Sequence, residues 1–268
     1  MLPYISLGLL QYPVWLIANK KATNKIEPLM NLFTFNTNEV MPMAGALWFL
    51  TCLFFAELIY IIIDKYATTF KRKGLVIACI ALFGNLFTTL FGVRLPLAID
   101  TSFVATGFIF LGNVARINSS NNKIKQLFHM RPFPLVLLIV LNTFFCFLNG
   151  GINMRTGHYS IIPLFWLNAL TAIIVYWNLS IFLCNIMANN NIIWFKREII
   201  DIGKNSIIYL CLNQTVIWGV STLLRKLGLL PASWGFKCLI VMLISLVILK
   251  FAERIIIHSQ LRVLFGKM

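Results

Sequence analysis

Eight apolar stretches, separated by short polar connections, set the organisation of this chain. They run over Leu2–Ala18, Ala44–Ile63, Gly74–Gly92, Leu95–Ala115, Phe133–Leu148, Ser160–Ala188, Ser206–Leu224 and Phe236–Ile257. A helix needs about 20 predominantly apolar residues to cross roughly 30 Å of hydrocarbon. Each stretch meets or approaches that length, the first and fifth being the shortest. The pattern predicts an all-α fold, a polytopic transmembrane helical bundle of about eight helices. The longest polar stretches, Asn19–Met43 and Arg116–Pro132, are too short to build a core of their own. Residues 1–268 therefore read as a single integral membrane domain.

Composition agrees with this reading. Of the 268 residues 59% are hydrophobic and only 12% charged, against about 25% charged in ordinary soluble domains. The excess apolar surface has to face lipid, so the bilayer is the first expected partner. The net charge of +15 matters through its placement. Nucleic-acid binding needs basic residues gathered on one face, whereas here they sit mainly between the apolar runs, so no nucleic-acid partner is expected. Fifteen of the 23 Lys and Arg fall after the second, fourth and sixth stretches and at the C-terminal end; the other eight fall on the opposite side. The richer side is expected in the cytoplasm. The chain is then expected in the cell inner (plasma) membrane with both of its ends cytoplasmic. The chain begins within an apolar segment and lacks the basic start and cleavage site of a signal peptide.

The six cysteines lie in apolar runs with no C-x-x-C pair, which reads as small buried hydrophobes and points to neither zinc nor disulfides. Glu57 falls mid-way along the second stretch. An ionisable group there should face a cavity, be paired or be protonated. Arg94 and Asp100 flank the start of the fourth stretch, around a Pro96 suited to a first helical turn. They could pair with each other or bind a polar acceptor. The connection Asn149–Ser160, NGGINMRTGHYS, carries Asn153, Arg155, His158 and Tyr159 on the extracytoplasmic side. Its histidine is the usual type of general base, though a lone loop histidine more often is simply solvated. His129 and His258 sit beside basic residues and read as interfacial. In GKNSIIYLCLNQ, Asn205 or Ser206 suits a helix N-cap, and Asn213 and Gln214 need partners two turns further in. Lys71, Arg72 and Lys73 form a basic run on the cytoplasmic side. Neither a P-loop, a G-x-S-x-G elbow nor an H-E-x-x-H pair occurs, and no metal site is expected.

Five stretches, in order, resemble the type-three membrane acyltransferases, the group of sugar O-acetyltransferases and fucose 4-O-acetylase-like proteins. They are LPYISLGLLQY, GALWFLTCLFFAELIY, VRLPLAIDTSFVATGFIFLGNVAR, NGGINMRTGHYSIIPLFWLNALTAI and IGKNSIIYLCLNQ. The second is the most specific. The resemblance implies about ten helices with cytoplasmic termini, no bound cofactor, and acetyl transfer from acetyl-CoA to a sugar hydroxyl of a surface polysaccharide or its precursor. The first stretch here is similar to the family's third helix, so the domain is expected to be N-terminally incomplete relative to the family. The family's first helix carries an arginine and a histidine taken as the catalytic base, and no residue here matches them. Asn213 stands where many members have histidine. The resemblance places Arg94, Asp100, Asn153, Arg155 and His158 on the carbohydrate-acceptor side. It places Asn205, Ser206, Lys71, Arg72 and Lys73 on the acyl-CoA donor side. Two other classes stay open: an inactive or partner membrane protein of the same fold, and a polysaccharide or lipid-linked sugar transporter. Abundant Asn, Ile and Lys point to AT-rich coding DNA and a bacterial source.

Overall fold

The computed structural model describes residues 1–19, 24–34, 45–187, 193–229 and 233–266. In chain order its helices are α1 (Leu2–Ala18), α2 (Glu27–Thr34), α3 (Trp48–Tyr66), α4 (Phe70–Phe91), α5 (Ile99–Ile117), α6 (Asn122–Phe128), α7 (Pro132–Asn149), α8 (Ile162–Ile186), α9 (Ile193–Lys204), α10 (Ser206–Lys226) and α11 (Trp234–Ile257). Short 3-10 turns cover Pro96–Ala98 and Gln260–Phe265. No strand occurs among the described residues. All eight apolar stretches form helices. The short α2, α6 and α9 lie in the polar connections. Ala44 and Ala188, expected at helix ends, and Lys20, Lys21 and Lys267 of the charge count lie outside the described residues.

Five helical segments are long and apolar enough to cross a membrane: Phe70–Phe91, Pro96–Ile117, Pro132–Asn149, Ile162–Ile186 and Ser206–Lys226. The other three of the expected eight are helical but fall outside this set. α1 has 17 residues, and α3 carries Glu57, Asp64 and Lys65 within 19. α11 carries Lys237, Lys250, Glu253 and Arg254. The chain is a multi-pass, all-α membrane protein. Its surface fits that solvent: on α7, Phe133 and Phe147 are each 82% exposed, a state that water would penalise and lipid does not.

The chain divides into two compact units. One comprises Met1–Thr51 with Glu198–Met268. Here α1 is tied by three polar contacts: the Tyr4 hydroxyl donates to the Leu32 carbonyl at 2.6 Å, Ser6 Oγ to the Leu264 carbonyl at 3.1 Å, and Gln11 Nε2 to the Cys211 carbonyl at 2.9 Å. α10 and α11 pack through Val220, Leu224 and Val241.

The other unit is Cys52–Arg197. Thr69 opens α4 by accepting from the Arg72 N–H at 3.4 Å, and Gly92 closes it in the left-handed conformation at φ 64°. α4 and α5 form an antiparallel pair. Phe110 near the end of α5 meets Gly74 near the start of α4, and Phe103 meets Gly84. α4 has 22 residues; at 1.5 Å rise each that is about 33 Å, a full hydrocarbon thickness. α7 joins α8 through Asn142 Nδ2, which donates to the Asn168 carbonyl at 2.9 Å and to Thr171 Oγ1 at 2.8 Å. Where lipid replaces water, such contacts and close packing hold helices together.

At Gly84 the two helices of the α4–α5 pair approach closely. A Cβ there would lie 2.7 Å from Phe103 Cβ and 2.9 Å from the Asp100 carbonyl oxygen. Overpacking of this kind costs about 1–3 kcal/mol. Gly84→Ala should therefore lower the thermal unfolding midpoint in detergent. Gly112→Ala, on α5 where nothing lies within 4 Å, should not. Equal midpoints for both variants would refute the close contact.

Candidate functional site

The site begins where the chain turns from α4 into α5. Leu97 (φ 56°, ψ 26°) and Ala98 (φ 57°, ψ 33°) both adopt the left-handed conformation, without glycine. Such residues cost of order 1–3 kcal/mol each and persist only where the surroundings impose them. This turn breaks the expected Leu95–Ala115 helix in two and sets Asp100 in the first turn of α5. A carboxylate is favoured there by the partial positive charge of the helix start.

Asp100 is 1% exposed; its Oδ2 lies 2.5 Å from Arg94 Nε as an ion pair, and its Oδ1 accepts from Arg94 Nη2 at 3.2 Å. Of the two readings left open by the sequence, the structure gives the ion pair. Arg94 does more than pair. Its Nη2 also donates to Thr101 Oγ1 at 2.9 Å, and its Nη1 donates to the Arg155 carbonyl. Thr101 Oγ1 in turn donates to the Met154 carbonyl at 3.0 Å. The α4–α5 turn thus grips the loop between α7 and α8.

That loop has its own framework. Asn153 and His158 exchange two backbone hydrogen bonds of 2.9 Å. Asn153 Oδ1 accepts from the Arg155 and Thr156 N–H groups at 3.1 and 3.3 Å. Gly157, at φ 69°, lies so close to α4 that a Cβ would sit 2.4 Å from Thr88 Oγ1 and 3.4 Å from Arg94 Cζ. Both the conformation and the space require glycine. Tyr159 is buried against Val104 and Phe165, with its hydroxyl beside Thr101. Burial, reinforced by the Asp100 charge, pushes its phenol well above the ordinary 10.0. Tyr159 is then a neutral donor near neutral pH. Burial also pulls the Arg155 guanidinium down from its ordinary value. Arg155 Nε and Nη2 are buried without a partner among the described residues. The side chains of Asn153 and His158 are exposed.

Arg94, Asp100, Asn153, Arg155 and His158 therefore belong to one cluster, joined by Thr88, Thr101 and Gly157, which the sequence reading missed. Thr101 directly follows Asp100, and Gly157 follows the Asn153 turn, so both carried a faint signal. The arrangement presents a desolvated guanidinium and a buried phenol beside a fixed ion pair. That set suits holding a polar group through hydrogen bonds.

The residues expected on the donor side fall in two places. Lys71 and Arg72 are exposed at the start of α4, while Lys73 is paired with Asp64. Asn205 and Ser206 open α10, Ser206 being exposed. Asn205 occupies the N-cap position, but its side chain makes no cap bond. It donates instead to Glu253 Oε1. Glu253, 2% exposed, also accepts from the Tyr209 hydroxyl at 2.7 Å and pairs with Lys250 Nζ at 2.9 Å. Lys250 reaches Glu198 Oε2 at 2.9 Å as well. This buried carboxylate was missed. The four-residue spacing of Asn205 and Tyr209 on one helix face was its trace.

Other expectations come out differently. Glu57 is exposed on α3 and has neither a hydrogen bond nor an ion pair among the described residues. Asn213 Oδ1 and Gln214 Oε1 are buried without partners among the described residues, and Asn213 lines a cavity of about 370 Å³ with Ser245 and Lys237. All six cysteines are free, but only Cys52 and Cys211 are buried; the other four face outward on apolar helices. Among the described residues no group of three His, Cys, Asp or Glu could hold a metal.

A multi-pass helical membrane protein with this polar cluster is the class the fold defines. The family model described as an acyltransferase domain, that of the acyltransferase 3 family, matches residues 1–250, and the chain belongs to that family. No curated protein and no solved structure matches it.

Two predictions follow from the cluster. Asp100→Asn leaves Arg94 without its counter-charge; removing one partner of a buried pair costs about 3–5 kcal/mol. Thermal unfolding in detergent should show a large loss, and a midpoint within error of wild type would rule out the buried pair. The second concerns pH. The unfolded chain loses its Tyr159 proton near 10.0, while the folded chain retains it. The stability this contributes is complete below pH 10 and is lost as pH rises further. The midpoint difference between wild type and Tyr159→Phe should then move in favour of the variant above pH 10. A constant difference would exclude the buried phenol.

Proposed function

We propose that this chain acts in transfer of an acetyl group from acetyl-CoA to a sugar hydroxyl of a surface polysaccharide or its precursor, at the inner membrane of a bacterial cell. Membership of an acyltransferase family supports the reaction class. The observation that carries the reading is the α4–α5 pair. A helical hairpin about as long as the bilayer is thick bears polar machinery at both ends. Arg94, Asp100, Arg155 and Tyr159 gather at one end; Lys71, Arg72 and Arg116 lie at the other. The excess of Lys and Arg on the second end supports a cytoplasmic setting for it, with both termini on that side.

In this reading the acceptor is held by Arg155 and by neutral Tyr159, with Asn153 and His158 on the exposed rim. The Arg94–Asp100 pair fixes the loop and does not itself move a proton. Transfer requires a base for the sugar hydroxyl and a donor for the oxyanion formed on the thioester carbon. Arg155 and Tyr159 both donate, and both are desolvated, which strengthens their hydrogen bonds. Asn205 and Ser206 stand on the donor side.

A competing reading, a non-catalytic membrane partner of the same fold, is favoured by one observation. His158, the histidine in the cluster, is exposed and has no side-chain partner among the described residues to orient it.

Membranes containing the chain, supplied with isotopically labelled acetyl-CoA, should label a surface glycan. Arg94→Ala and Arg155→Ala should each reduce labelling to background while the protein remains in the membrane. Full labelling in both variants would remove the acceptor-side assignment. The absence of any label with the wild-type chain would favour the non-catalytic partner.

A further inference from the structure

A second recess, mostly apolar in its lining but edged by basic side chains, lies at the opposite end of the α4–α5 pair from Arg94. It is a cavity of about 460 Å³ between the end of α5, α6 and α8, walled by Arg116, Lys125, Phe128, His129 and Trp177. That volume lies within the roughly 300–1,000 Å³ range of small-molecule sites. Three of these side chains are basic and two aromatic, and no carboxylate lines the recess among the described residues.

The walls are held in place. Asn178, 5% exposed on α8, donates to the Leu127 carbonyl at 2.9 Å and accepts from the Met130 N–H at 2.7 Å. It thereby clamps the backbone on both sides of Phe128 and His129. The Phe128 and Trp177 rings meet edge to face at 5.3 Å. Trp177 is still 55% exposed, which leaves ring surface open to a ligand. Arg116 is steadied by Asn113 Oδ1 at 3.2 Å, and Asn113 donates in turn to the Tyr60 hydroxyl at 2.6 Å. The start of α4 belongs to this same end, because Phe70 packs on Phe110 of α5 with ring centroids 5.5 Å apart. Exposed Lys71 and Arg72 therefore add positive charge nearby.

We propose that this recess receives the adenine-nucleotide end of the acyl-CoA donor. The base stacks on Trp177, and the phosphates are met by Arg116, Lys125 and His129. Any base offers a flat face to an aromatic ring, and guanidinium and ammonium groups are the usual phosphate ligands. The inference rests on the donor proposed above, and it locates that donor on residues other than the Lys71–Lys73 run and the Asn205–Ser206 pair.

The test uses adenosine 3′,5′-diphosphate as probe and the full chain in nanodiscs of neutral lipid. Wild type should bind the probe, and adenosine without phosphates should bind at least tenfold more weakly. Arg116→Gln and Trp177→Leu should each weaken probe binding about tenfold or more. Arg116→Gln is exposed and leaves the aromatic contact intact, so loss there is not a packing effect. Lys123→Gln, outside the recess, should bind within twofold of wild type. Unchanged affinity in both recess variants, or no binding by wild type, overturns the proposal. So does displacement of the probe by phosphatidylglycerol in the nanodisc, which would make the recess a lipid-headgroup site. Acetyl transfer with an unaltered KM for acetyl-CoA in both recess variants would remove the recess and leave the transfer reading standing. Probe binding that depends on Arg116 and Trp177, without any acetyl transfer, would do the reverse.

Discussion

Asp100 is a carboxylate with 1% exposure at the start of a membrane-crossing helix, and Arg94 meets both of its oxygens. Unpaired, such a charge would be costly enough to drive its own neutralisation. Much of the surrounding structure follows from keeping the pair together. Arg94 lies six residues before Asp100, and an unbroken helix would carry the two apart. The chain instead winds left-handed through Leu97 and Ala98, which brings the carboxylate back to the guanidinium. Arg94 then has N–H groups left over. It uses them on Thr101 and on the Arg155 carbonyl, so the loop after α7 is docked by the same side chain. Gly157 completes the arrangement, since a larger residue would push the loop off Thr88 and Arg94.

The same economy recurs within each compact unit. Lipid gives helices little reason to associate through apolar surface, so association falls to close packing and to single polar side chains. Asn142 sets α7 against α8, Asn178 fixes the α6–α7 connection, and Gln11 ties α1 to the Cys211 carbonyl. Each of these bonds spans distant parts of the chain. The buried Glu253 group is a denser version, in which Asn205, Tyr209 and Lys250 share one carboxylate. Residues that a hydropathy profile shows as blemishes in an apolar run are therefore the ones that define helix register.

The helices were legible because hydrocarbon thickness imposes a length, and the eight apolar stretches display it. Pro96, expected in the first turn of the Leu95–Ala115 helix, instead opens a short 3-10 turn before α5. The left-handed Leu97 and Ala98 were not legible, because neither is glycine and the conformation comes from the ion pair rather than local preference. Arg94, Asp100 and Arg155 stood out as charges in apolar or short connecting sequence, and they do meet. Asn205 looked like a cap, but its partner Glu253 lies 48 residues away, beyond any local pattern. The outward-facing cysteines were misjudged because the usual inside rule for cysteine assumes water outside. The number of spans is harder to read than the number of helices, because α3 and α11 are strongly apolar on average yet carry several charged residues.

The two ends of the α4–α5 pair hold their positive charge in physically different ways. At the Arg94 end the carboxylate of Asp100 is taken up by Arg94 alone. Arg155 is left desolvated, with buried N–H groups that water does not screen. An attraction of that kind is short in reach and strict in geometry. At the other end Lys71, Arg72, Arg116 and Lys125 are exposed. Each is weak at contact, but together they extend a field over about a Debye length, roughly 8 Å at physiological salt. Fields of that type gather anions from solution and fade with ionic strength. On the proposed reading, one end orients a group already present and the other collects a charged one from bulk water. That division would suit the proposed transfer, from a soluble polyanionic donor to one particular hydroxyl.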